Sequence, residues 1–200
     1  WLDRLLPSFD VEGEGLARQI RMRDWPSAEH TEVLHVEQFG SGQLFNQLDL
    51  HLEPGQVAAL SGDTVPRSAA MLALSGRLQP TSGQARIAGE LLPEHGARVR
   101  RHTGFVETTG NASIAGDLRA QQSRSHRVVF VDGADAIAST EDVAALQGLL
   151  DHARQGGEFA VVLGVSDPSA GVARQADLVI QVTAPQATVV ATESAKSHTH

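Results

Sequence analysis

Four short apolar runs constrain what this chain can fold into more than any other feature of its sequence. Val57–Leu60, Val128–Val131, Phe159–Val165 and Leu178–Val182 are brief and show little polar alternation. A strand with one wet face alternates apolar and polar residues, whereas a strand covered on both faces does not. The runs therefore predict a mostly parallel sheet between two layers. Helical patterns fall between them over Arg67–Leu78 (Met71, Leu72, Leu74, Leu78) and Thr140–Ala153 (Val143, Leu146, Leu149, Leu150), with a third near Ala170–Ala176. Val33–Val36, Leu44–Leu52, Ala85–Ala88 and Thr103–Glu107 read as further strands. The Pro-Gly and Ser-Gly turns among the earlier ones predict a small antiparallel sheet at one side. The fold class is α/β.

Composition removes several functions. Sixteen Lys and Arg against 24 Asp and Glu give a formal charge of −8, and no basic run offsets it, so the footprint of a nucleic-acid binder is missing. The absence of cysteine excludes a disulfide framework, a thiolate zinc site and a cysteine nucleophile. No apolar run is long enough to span a bilayer. Residues 1–32 differ from the rest: a short apolar turn ends at Pro7, charges mix over Val11–Arg23, and Trp25-Pro26 breaks any helix. They read as an N-terminal extension or linker, with too few basic residues for a membrane-surface helix. The domain proper is expected over 33–192, with a polar tail at 193–200. The start at Trp1 reads as a segment of a longer polypeptide.

The stretch 53–89, EPGQVAALSGDTVPRSAAMLALSGRLQPTSGQARIAG, runs strand, tight loop, helix, turn, strand. It resembles the start of an ATP-binding cassette (ABC) ATPase domain. The resemblance continues in LHVEQFG (34–40), RRHTGFVETTG (100–110), RVVFVDGADAI (127–137) and VVLGVSDPSAGVARQADLVIQV (161–182), in the family's order. It implies a P-loop NTPase fold, a RecA-like ABC core with a mostly parallel sheet and a small antiparallel β subdomain. It also places Phe39 under an adenine, Gly62, Arg67 and Ser68 around phosphates, and Asp132 at Mg²⁺. Each of these has a plainer reading: core packing for Phe39, a helix N-terminal turn for Arg67 and Ser68, a turn cap for Asp132.

The departures from the family bear on function. A phosphate loop needs flexible backbone amides, a lysine and a hydroxyl. Here the loop is one residue short, and Val65 and Pro66 stand in place of glycines. Proline removes an amide donor and fixes φ. Asp63 adds negative charge, and Arg67 presents a planar fork where lysine offers a compact ammonium. The glutamine expected after the Thr103–Glu107 strand falls at Thr108, the general-base glutamate at Gly133, and the switch histidine at Ser166. Only residues 109–126 separate Thr108 from the next strand region, and no LSGGQ-like signature is present. The helical subdomain that carries that signature in the family is therefore expected to be missing.

Other constellations are weaker. The nine histidines are scattered without H-x-x-x-H spacing, and each reads as a surface or satisfied residue rather than a metal ligand. Asp132, Asp135, Glu141 and Asp142 read as a solvated acidic patch, and Ser139 with Asp142 as a helix cap. The sequence thus points to a non-hydrolytic pseudo-ATPase, with no metal or catalytic residue and no cofactor expected. Its partner would be a membrane protein or another cassette subunit, and its place cytoplasmic, peripheral at the inner face of the plasma membrane. An exposed apolar patch over 109–126 or around Leu5, Leu6 and Trp25 is the surface this reading expects. The alternative is an ATP-binding regulator or weakly active ATPase subunit using Phe39, Gly62, Arg67, Ser68 and Asp132 for ATP and Mg²⁺.

Overall fold

The computed structural model describes residues 32–110 and 113–185. The segment 1–31 and the tail 193–200, and with them Leu5, Leu6 and Trp25, lie outside the described residues. The chain forms β1 (Leu34–Ser41), β2 (Phe45–Leu52), β3 (Val57–Ser61), α1 (Thr64–Leu74), β4 (Ser82–Ile87), β5 (Glu90–Leu92) and α2 (Gly96–His102). It continues with β6 (Thr103–Glu107), α3 (Ala115–Gln122), β7 (Val128–Asp132), α4 (Thr140–Gly156), β8 (Ala160–Val165) and β9 (Leu178–Gln181). Two sheets result: an antiparallel one in the order β2-β1-β4-β5 and a parallel one in the order β6-β7-β8-β3-β9.

Every residue of β3, β7 and β8 is buried, as both-face coverage requires. Ala58, Leu60, Val128, Phe130, Ala160 and Val162 point to one face, where they join Met71 and Leu74 of α1 and the inner face of the antiparallel sheet. Their neighbours Val57, Ala59, Val129, Val131, Val161 and Leu163 point to the other, under Leu118 of α3 and Leu146, Leu149 and Leu150 of α4. Burying each such large side chain contributes about 1.5–3 kcal/mol, so the two apolar layers outweigh local helix propensity in fixing α1 and α4.

Several elements differ from their sequence reading. Helix α1 starts at Thr64 rather than Arg67, because Pro66 falls in its first turn, where a missing amide breaks no intrahelical bond. It also ends at Leu74 rather than Leu78, and the chain turns through Gly76 at φ 73°. The helix expected near Ala170–Ala176 is only a 3₁₀ turn at Ala173–Gln175. Val143, expected on the apolar face of α4, is 49% exposed. The apolar patch expected over 109–126 is not seen among the described residues, since Ile114 and Leu118 are buried against α4.

Nor is the acidic group after β7 a solvated patch. The Ser139 hydroxyl accepts from the Asp142 amide at 3.1 Å, the predicted cap of α4. The Asp142 carboxylate, itself buried, then accepts from the amides of Ile114 and Ala115 at 3.0 and 2.8 Å and from the Ser113 hydroxyl at 3.1 Å. The start of one helix thereby holds the start of another. Glu141 alone of the pair faces water, with Arg119 at 2.9 Å.

Burial pushes the Asp142 carboxyl up, but the bonds from Ile114, Ser139, Ala115 and Ser113 together hold it below the usual carboxylate value. A carboxyl depressed in the folded state contributes stability that is fully present above its unfolded pKa of about 3.9 and is lost as pH falls through the folded value. Asp142→Asn should therefore lower the urea midpoint at about pH 7 and flatten the loss of stability below about pH 4. Parallel acid limbs for the two proteins would refute this role.

Candidate functional site

The five parallel strands place all their carboxyl ends along one edge, the side on which open α/β sheets bind ligands. The chain leaves β3 there through Gly62 at φ 140°, where a Cβ would collide with the Val182 carbonyl oxygen. Only glycine makes that turn without strain. Asp63 follows as the N-cap of α1 without a side-chain cap bond, and it and Val65 are exposed.

Arg67, one turn into α1, points inward and is 3% exposed. Its Nε donates to Asp132 Oδ1 at 3.0 Å, and its Nη1 donates to the Gly62 carbonyl and to Ser166 Oγ, both at 3.1 Å. The Ser68 hydroxyl donates to the other Asp132 oxygen, Oδ2. One guanidinium thus spans the β3–α1 turn, the end of β7 and the residue after β8. Gly164 is paired with Asp132 across β7 and β8 and leaves the space this needs, since a Cβ there would meet Asp132 Oδ1 and the Met71 sulfur. Gly164 was not foreseen as part of the site, although a glycine inside an apolar strand signals a close approach.

Neighbouring positions are closed by the same means. Gly133 adopts φ 77°, and its carbonyl accepts from Thr108 Oγ1 at 2.7 Å. A side chain at Gly133 would run into that hydroxyl, so Thr108 and a carboxylate at 133 exclude each other in this geometry. Ser166 and Asp167 donate their amides to Asp135 Oδ2 at 2.7 and 3.3 Å, which fixes the loop after β8.

The structure brings Gly62, Arg67, Ser68 and Asp132 together and leaves Phe39 out. A bulge at Gln38, which takes φ 49°, shifts the β1 register and swings Phe39 to the inner face. Phe39 is fully buried, with its ring centroid 6.4 Å from that of Phe45. It is a core residue, as its plainer reading has it, and offers no face to a base. Ser68 and Asp132, the groups expected around Mg²⁺, are bonded to each other, and Arg67 already neutralises the carboxylate. As it stands this donor set does not fit a divalent cation.

No protein-family model and no curated protein matches the sequence. Solved structures do. CbiO1 from Clostridium perfringens, part of the ABC transporter complex cbiONQ, superposes with a TM-score of 0.56 at 13% identity over 78% of this chain and 86% of its own. A putative ABC transporter ATP-binding protein from Pyrococcus furiosus gives 0.56 at 12% identity over 74% and 96%. The ATP-binding cassette MJ0796, a dimer in a post-hydrolysis state bound to ADP and Pi, gives 0.58 at 12% identity over 76% and 99%. At this identity the likeness is one of fold: an α/β P-loop NTPase core of the ABC type with a small antiparallel sheet. Among the described residues α3 alone lies between β6 and β7.

The Arg67–Asp132 pair predicts a specific pattern of stability. Removing one member strands the other charge in the interior, so Arg67→Met and Asp132→Leu should each cost about 3–5 kcal/mol in denaturant unfolding. The double variant should cost less than the two together by at least about 1 kcal/mol. Additive losses would show that the two charges do not depend on each other.

Proposed function

We propose that this chain is a non-hydrolytic pseudo-ATPase, an ABC-type module kept for binding another protein, with a transporter-like membrane protein or a second cassette subunit as the partner class. The carrying observation is the buried Arg67–Asp132–Ser68 cluster. In a working phosphate loop the basic side chain reaches toward phosphates, while the hydroxyl and the acid face Mg²⁺. Here the three groups satisfy one another. A nucleotide would have to break a buried ion pair before gaining any contact, and Pro66 has removed one of the amides that would offset that cost.

The position that follows Asp132 offers no base for water activation. Gly133 carries no base, and Thr108 occupies the space a side chain there would take. Two surfaces suit protein contact. Among the described residues strand β9 is one edge of the parallel sheet, and it exposes Leu178 and Val179. A groove of about 440 Å³ lies between α4 and the turns at 134–136 and 173–175, with Ile137, Val143, Leu146 and Val172 among its walls. No helix among the described residues is long and apolar enough to cross a membrane. A peripheral place at the cytoplasmic face of a membrane complex belongs to this proposal.

Calorimetric titration with ATP, ADP and GTP in Mg²⁺ tests it. Folded wild-type protein should bind none of them more tightly than about 0.1 mM, equivalent to roughly 5.5 kcal/mol, and should release no phosphate from ATP. Tighter binding would overturn the reading and favour the ATP-binding regulator, and phosphate release would favour a weak ATPase.

A further inference from the structure

The outer face of the antiparallel sheet carries a second cluster that no part of the proposed function uses. His35 on β1 stands directly opposite His51 on β2, and because Leu34, Val36, Leu50 and Leu52 take the core face, both imidazoles face outward. Their rings meet edge to face at a centroid distance of 4.1 Å, with the two Nδ1 atoms 3.0 Å apart. Glu32, just before β1, places Oε2 at 2.8 Å from His35 Nδ1 and Oε1 at 3.9 Å from His51 Nδ1. Two ring nitrogens and a carboxylate converge on one point.

We infer that Glu32, His35 and His51 form a binding site for a divalent first-row transition metal of the zinc class. Bonds of about 2.0–2.1 Å in a tetrahedral site set neighbouring ligand atoms about 3.3–3.4 Å apart. The observed separations of 2.8, 3.0 and 3.9 Å bracket that edge, so small side-chain rotations suffice. A proton can bridge the two nitrogens and relieve one contact, whereas a cation satisfies all three ligands at once.

The tautomer a metal requires has its partner in place. With a cation on Nδ1, His35 carries its ring proton on Nε2, which lies 3.2 Å from Glu37 Oε1. A carboxylate behind a ligating histidine is the usual means of orienting it and raising its basicity. Arg86 stands opposite His35 on β4 and brings a positive charge to the same face, against the two carboxylates of Glu32 and Glu37. The set of two imidazoles and one carboxylate suits zinc, with copper and nickel as competitors, and disfavours magnesium and calcium. Three protein ligands leave a fourth position for water or an outside ligand. The sequence reading missed the cluster because its members lie apart in the chain and only the strand register brings them together.

Zn²⁺ titration by calorimetry, with Co²⁺ absorption as a readout of coordination geometry, tests the site. Wild-type protein should bind Zn²⁺ with a Kd of about 10 μM or tighter. His51→Ala removes an exposed ring without disturbing the core and should weaken binding at least tenfold, as should Glu32→Gln. Glu37→Gln should weaken it about tenfold or more through His35 alone. His152→Ala, on α4, should leave it unchanged. Undetectable binding, or Zn²⁺ affinity and Co²⁺ spectra unaltered by both His51→Ala and Glu32→Gln, would overturn the proposal.

Discussion

The buried contact between Arg67 and Asp132 sets the geometry of the sheet edge around it. An attraction of about 4 kcal/mol over a few ångström is of the same order as the cost of drying the two ions, so the pair adds little net stability. Its effect is positional. With the guanidinium fixed on Asp132 and on the Gly62 carbonyl, the start of α1 is tied to the end of β7. The further bond to Ser166 includes the chain leaving β8. Gly164 has to remain bare for the carboxylate to sit where it does, and Gly62, at φ 140°, has to remain bare to clear the Val182 carbonyl. The two glycines and the ion pair form one constraint.

Much of this fold was readable because burial leaves a mark on composition. The fully covered strands β3, β7 and β8 announce themselves as unbroken apolar runs, and their order with α1 and α4 gives the parallel layer. What escaped depended on contacts between distant segments. Helix α3 has a weak apolar pattern, and its start is held by Asp142 from α4, so nothing local to residues 113–122 signals it. The 3₁₀ turn at Ala173–Gln175 has a few apolar residues at helical spacing, yet they pack over one short turn only.

The candidate site divides along the same line. Gly62, Arg67, Ser68 and Asp132 could be gathered from motif order, because each ends or follows a strand whose position the pattern fixes. Phe39 could not be placed that way, since one bulged residue reverses the face on which a side chain emerges. The pairing of His35 with His51 is the converse case. Regular alternation keeps both on the outer face, but the distance between them follows from register, which one strand alone does not carry.

The chemistry of arginine suits position 67 to the interior of this edge. A lysine at 67 would bring three donors on a single compact centre, suited to a phosphate oxygen approached from the loop. The guanidinium instead divides its donors: Nε addresses the Asp132 carboxylate while Nη1 turns back to the Gly62 carbonyl and across to Ser166. Pro66, buried in the first turn of α1, stands immediately before that arginine. The turn and the side chain that reaches back to it are thus parts of one arrangement, in which the protein's own cation meets its own acid and the serine hydroxyl closes the remaining oxygen.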